Sequence, residues 1–106
     1  MISANALPQP AEMTEERSVI VAGDYLNKLS GEKIEFECKR RIAAGCKELV
    51  VNFAHTELVN SIGISILLGV IDIARKNGAS VAFSDMNETT VELFDMLGLT
   101  KHVTIV

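Results

Sequence analysis

Val59-Asn60-Ser61-Ile62-Gly63-Ile64-Ser65-Ile66-Leu67-Leu68-Gly69 joins the apolar run Leu49-Val50-Val51-Asn52-Phe53 to a long apolar segment that ends near Asn77. That order predicts a buried strand, a polar elbow and a helix. Asn60 and Ser61 stand where the helix begins, and both residue types cap helix N-termini well. In an α/β sheet, a hydroxyl at the handover from strand to helix lies at the rim where ligands and partners dock. Ser61 is therefore the first candidate functional residue. On spacing alone, its alternative role is a plain helix cap.

The helix that follows carries Ile62, Ile64, Ile66, Leu67, Leu68, Val70, Ile71 and Ile73. Burying most of them contributes roughly 10–20 kcal/mol gross, before conformational entropy is subtracted. This helix is expected to anchor the core, with Leu68 facing the sheet. Ser61, Ser65, Gly69, Asp72 and Lys76 fall at helical spacing on one side. The Ser61-Ser65-Gly69 half of that stripe is small as well as polar, which lets another protein approach closely. An ordinary solvated stripe is the equal alternative.

Working outward, residues 18–22 are apolar and β-branched and read as a buried strand ended by Gly23-Asp24. A helix is expected from Ser30-Gly31 to Ala44, with Gly45 just past its end. Glu35 with Lys39 and Glu37 with Arg41 give i,i+4 pairs in the favourable order. Ile34, Cys38 and Ile42 share the face that packs on the sheet. Phe36 points the other way, as a partner contact or as a lone exposed aromatic. Residues 48–53 form a central strand that is apolar throughout, as expected where both faces of a parallel strand are covered. His55-Thr56-Glu57 makes the loop before the elbow. Asn77-Gly78 closes the central helix, and residues 79–84 form the next strand. Asp85 or Asn87 caps a third helix running to Leu97, with Gly98 past its end and Leu99 folding back on Phe94. Residues 102–106 complete the pattern as a short strand. Such alternation predicts an α/β fold with right-handed crossovers: one domain over residues 17–106, a mostly parallel sheet of four to five strands and about three helices. Residues 1–16, broken by Pro8 and Pro10, read as an arm with one short edge strand.

Composition narrows the function classes. The chain has 106 residues, 48% hydrophobic and 23% charged, in the range of a soluble globular domain. A net charge of -4 argues against nucleic acid or anionic lipid as a partner. Ser65 and Asp72 interrupt the longest apolar stretch, 62–74, which falls short of a membrane span. With no basic flank before a long apolar region near residue 1, a cytoplasmic location is expected. Cys38 and Cys46 would lie about 12 Å apart along a helix, beyond disulfide reach. Besides them only His55 and His102 are common metal ligands of the nitrogen or sulfur type, so neither a metal nor a cofactor is expected. There is no phosphate-binding glycine loop with Lys, and Gly63-Ile64-Ser65-Ile66-Leu67 fails the nucleophile-elbow pattern at its last position. A triad of Asp24, His55 and Ser61 lacks any oxyanion feature, so no enzyme is expected.

The strand followed by Asn60-Ser61-Ile62-Gly63, the helix with Ile66-Leu67-Leu68-Gly69, and the later Leu93-Phe94-Asp95-Met96-Leu97-Gly98-Leu99 closely resemble the STAS domain of bacterial anti-sigma factor antagonists. The resemblance covers about residues 19–106. It implies that Ser61 is phosphorylated by an anti-sigma factor with an ATP-binding kinase fold. The unphosphorylated form then binds that partner and frees the sigma factor, and a serine phosphatase restores it. Asn27, Thr56, Asn60, Ser61, Ile62, Ser65, Gly69 and Asp72 are the implied partner-binding residues. Asn60 departs from the family's usual Asp, and Ile62 from a common second Ser. The region Gly23-Asp24-Tyr25-Leu26-Asn27 is one residue longer than usual, and the final helix of many members has no counterpart here. The alternative is a STAS adaptor or structural subunit of a larger signalling or lipid-transport complex, never phosphorylated.

Overall fold

Three asparagines set where the helices begin. In the computed structural model, which describes residues 17–106, Asn27 Oδ1 accepts from the Ser30 amide at 3.0 Å, while the Asn27 amide donates to Ser30 Oγ at 2.9 Å. This reciprocal pair opens α1, Lys28–Ala43. Asn60 Oδ1 accepts from the Gly63 amide at 2.8 Å and opens α2, Ser61–Lys76. Asn87 does the same for the Thr90 amide at 2.8 Å and opens α3, Glu88–Met96. Each cap is worth about 1 kcal/mol. At the far ends of α1 and α2, Gly45 and Gly78 adopt φ of 99° and 73°. There Cys46 N donates to Arg41 O at 3.0 Å and Ala79 N to Ala74 O at 2.8 Å, closing both helices in Schellman turns.

Between the helices run β1 Arg17–Val21, β2 Tyr25–Leu26, β3 Glu48–Asn52, β4 Leu58–Val59, β5 Ser80–Ser84 and β6 Thr104–Ile105. Among the described residues, the main sheet has the order β1-β3-β5-β6, all parallel. Its register aligns Ile20, Val51, Phe83 and Ile105. Leu49, Val51, Val81 and Phe83 join Ile34, Cys38, Leu67, Val70 and Phe94 in the core. Phe53, Phe83 and Phe94 meet edge to face at 5.1–5.7 Å, the favoured geometry for aromatic rings. The expected α/β architecture is therefore present, with three α-helices and a four-stranded parallel sheet among the described residues.

Several local expectations differ. The first helix starts at Lys28 rather than near Ser30, because Asn27 is the better cap and Ser30 serves as its capping-box partner. A second, two-stranded parallel ladder, β2 with β4, was not expected from the sequence. Leu68 does not face the sheet; it is 41% exposed, and Leu67 takes the buried position one residue earlier. The segment 102–106 keeps only two residues of strand, because Leu99–Lys101 wind into a 3-10 turn. Asp85 caps nothing: at φ 56° it turns the chain and accepts from Asn52 Nδ2 at 2.8 Å. The expected edge strand in residues 1–16 lies outside the described residues. Phe94 and Leu99 are both fully buried, and Glu37 reaches Arg41 at 3.2 Å, as expected.

Candidate functional site

Two loops at the C-terminal rim of the strands are laced together. The Asp24 carbonyl accepts from the Glu57 and Leu58 amides at 2.8 and 3.1 Å, and the Leu26 carbonyl from the Asn60 amide at 2.9 Å. Thr56, 3% exposed, donates its hydroxyl to the Gly23 carbonyl at 2.7 Å. Thr56 thus braces the loops from inside and presents no surface to a partner. Gly63 lets α2 press against the same loop: a Cβ there would lie 2.7 Å from the Leu26 carbonyl oxygen. Gly31 plays a milder version of this part between α1 and Ile66 of α2.

On this frame Ser61 is the first residue of α2 and is exposed. Asn60 performs the capping, so the Ser61 hydroxyl has no side-chain hydrogen bond among the described residues. Asn60 Nδ2 also donates to Tyr25 Oη at 3.3 Å, tying the cap to β2. Tyr25, paired in register with Leu58, lines a groove of about 340 Å3 together with Asn27, Leu29 and Asn60. Apolar side chains stand out around the hydroxyl: Leu58 is 62% exposed, Ile62 52% and Leu29 64%.

The other sequence candidates fall as follows. Ser65 is exposed, and Gly69 and Asp72 are half-exposed along α2. A Cβ on Gly69 would meet nothing within 4 Å. Asp72 accepts from Lys76 and Arg75, each at 3.0 Å, and these hydrogen bonds hold its carboxyl below the usual carboxylate value. Asn27 is half-buried, and its side chain is taken up by the α1 cap. Tyr25, Leu29 and Leu58 carried no sequence signal, because two-residue strands show no periodicity and Leu29, second in α1, lies ahead of the helix start expected at Ser30. No hydrogen bond joins Asp24, His55 and Ser61 among the described residues. Nor does any group of three or more His, Cys, Asp or Glu there form a metal site. No helix among them is long and apolar enough to cross a membrane.

The STAS domain family model matches residues 14–106, and the chain belongs to that family. Its fold is similar to that of the anti-sigma factor antagonist SpoIIAA in its unphosphorylated form. That match has a TM-score of 0.73 and 19% identity over 88% of this chain and 82% of the other. The Bacillus cell fate determinant SpoIIAA in the phosphorylated form is similar with a TM-score of 0.64 and 18% identity, over 83% of this chain and 80% of that one. The protein TM1081, solved by NMR, matches with a TM-score of 0.73 and 13% identity, over 83% and 71%. Among curated proteins, none matches the chain.

Proposed function

We propose that this chain is an anti-sigma factor antagonist that works by partner switching, through the surface centred on Ser61. Unphosphorylated, it binds an anti-sigma factor with an ATP-binding kinase fold; phosphorylated on Ser61, it lets that partner go, and a serine phosphatase resets it. Residues 17–106 are the working unit. It acts in the cytoplasm as a binding regulator, not as an enzyme. Asn60, Ile62, Ser65, Gly69 and Asp72 along α2, with Asn27 at the groove, form the docking surface. Tyr25, Leu29 and Leu58 extend it.

The observation that carries this reading is the division of labour at the elbow: Asn60 caps the helix and leaves the exposed Ser61 hydroxyl uncommitted. A phosphate there would meet exposed N–H groups and the positive end of α2, which favour it by ~0.3–1 kcal/mol. The fold therefore tolerates it. A partner packed over Leu58 and Ile62 does not. One unit of like charge at 4 Å costs about 4 kcal/mol at an effective dielectric near 20, roughly a thousandfold in affinity. Phosphopeptide mass spectrometry of the protein purified from its own cells tests the proposal. Phosphate on Ser61 is expected, and none in the Ser61→Ala variant. Absence of phosphate under every growth condition in which the protein is made would move the reading to a STAS adaptor.

A further inference from the structure

At the end of α2 remote from Ser61, a cleft of about 440 Å3 opens between the last turns of the helix and strands β5 and β6. Small-molecule sites commonly fall between roughly 300 and 1,000 Å3. Ile71, Val81 and Val103 make its apolar side; the first two belong to the buried core and Val103 packs against it. Arg75, Lys101 and His102 make its polar side, and no carboxylate lines it. On a chain whose net charge is -4, this is a local reversal of sign. Arg75 is shared with Asp72 at 3.0 Å. The side chains of Lys101 and His102 have no ion pair or hydrogen bond among the described residues.

We propose that this cleft binds a small amphiphilic anion. An aromatic or aliphatic body lies against Ile71, Val81 and Val103, and a phosphate or carboxylate head meets Lys101, His102 and Arg75. Both halves are needed. The apolar wall supplies burial that a bare ion does not use, and the basic side chains select charge over a neutral isostere. Arg75 lies about 20 Å along α2 from Ser61, so the ligand and a partner docked at Ser61 occupy opposite ends of one helix. The proposal stands independently of any phosphorylation of Ser61.

The test uses the full isotope-labelled chain and follows amide chemical shifts during titration with phenyl phosphate, phenylacetate, inorganic phosphate and benzyl alcohol. Saturable shifts confined to residues 71–81 and 99–104 are expected with one or both aromatic anions. Phenyl phosphate alone would assign a phosphate head, and phenylacetate alone a carboxylate. Benzyl alcohol, and either anion with Lys101→Gln or Lys101→Glu, should bind at least about tenfold more weakly. Thermal melts of both variants establish that they are folded. No shifts in the cleft up to about 10 mM of either anion, well past the range of weak binding, would overturn the proposal. So would wild-type affinity in both folded Lys101 variants. Inorganic phosphate binding as tightly as phenyl phosphate would also overturn it, since the apolar wall would then contribute nothing.

Discussion

Asn60 Nδ2 donates to Tyr25 Oη at 3.3 Å while Asn60 Oδ1 accepts from the Gly63 amide at 2.8 Å. One side chain thus holds the start of α2 and the short strand β2 together, and the neighbouring Ser61 is excused from both tasks. An aspartate at position 60 would keep the cap but lose the donor to Tyr25, so the tyrosine would have to donate instead. The neutral amide is matched to the tyrosine oxygen as an acceptor.

Asn60→Ala should therefore cost about 1 kcal/mol, the value of a lost N-cap, and Ser61→Ala less than about 0.5 kcal/mol, as for an exposed side chain without a partner. Urea melts of the two variants check the contrast. Equal losses would mean that Ser61 shares the capping.

Two glycines in α2 should respond in opposite directions. A Cβ at Gly63 meets backbone and side chain of Leu26 at 2.7–2.9 Å, so Gly63→Ala forces the helix off the loop and should cost about 1–3 kcal/mol. Gly69 has open space around it, so Gly69→Ala should be stabilising by up to about 1 kcal/mol through helix propensity. Thermal or urea unfolding of both variants is the measurement; a neutral Gly63→Ala would show that the loop moves freely.

Adjacent leucines give a sharper contrast. Leu67 is fully buried, and Leu67→Ala should cost about 2–5 kcal/mol. Leu68 is 41% exposed, so Leu68→Ala should cost less, about 1 kcal/mol. A reversed order in urea melts would rotate α2 by a residue.

The helices were legible because their ends carry strong local chemistry: Asn60, Asn87, Gly45, Gly78 and Gly98 each act where the chain's local pattern places them. The parallel sheet followed from the alternation of elements. Leu68 was misread because α2 is aliphatic on almost every side, so periodicity does not separate the sheet-facing residues from those on the rim. The β2–β4 ladder was invisible for a different reason. It is a long-range pairing of two-residue strands, stabilised by the amides of Glu57, Leu58 and Asn60 reaching the carbonyls of Asp24 and Leu26. Ser61 itself was found from its place at the elbow, whereas the burial of Thr56 depends on a tertiary bond to Gly23 that no local pattern encodes.

The cysteines provide a pH test. Burial raises the Cys38 thiol from 9.0 to about 12, against a smaller opposing pull from Arg41. Well below pH 9 the folded and unfolded chains both hold this proton, so the thiol adds no pH dependence there. Above pH 9 the unfolded chain releases a proton that the folded chain keeps, and stability falls with rising pH. Between pH 8 and pH 10 the loss from this group should be about 1.4 kcal/mol. The difference in pH dependence between wild type and Cys38→Ala, measured in urea, isolates it. Thiol reagents at pH 8 should likewise modify the native protein far more slowly than the unfolded one.

The docking surface is tested by polar replacement of residues that the fold does not need. Leu58 and Ile62 flank Ser61 and are more than half exposed, so Leu58→Ser and Ile62→Ser should each change stability by less than about 1 kcal/mol. Removing such a half-exposed leucine or isoleucine from the centre of an interface forfeits burial of its exposed part, roughly 1–2 kcal/mol on the transfer scale. That corresponds to a weakening of about fivefold to thirtyfold for the proposed kinase-type partner. Met96, on α3, is also highly exposed but stands on a different element, so Met96→Ser supplies the control. Titration calorimetry with the partner separates the possibilities. Normal binding by Leu58→Ser and Ile62→Ser beside a weakened Met96→Ser would transfer the docking surface to α3. Loss in the first two alone would keep it around Ser61, where the proposed phosphate would act on the same contacts.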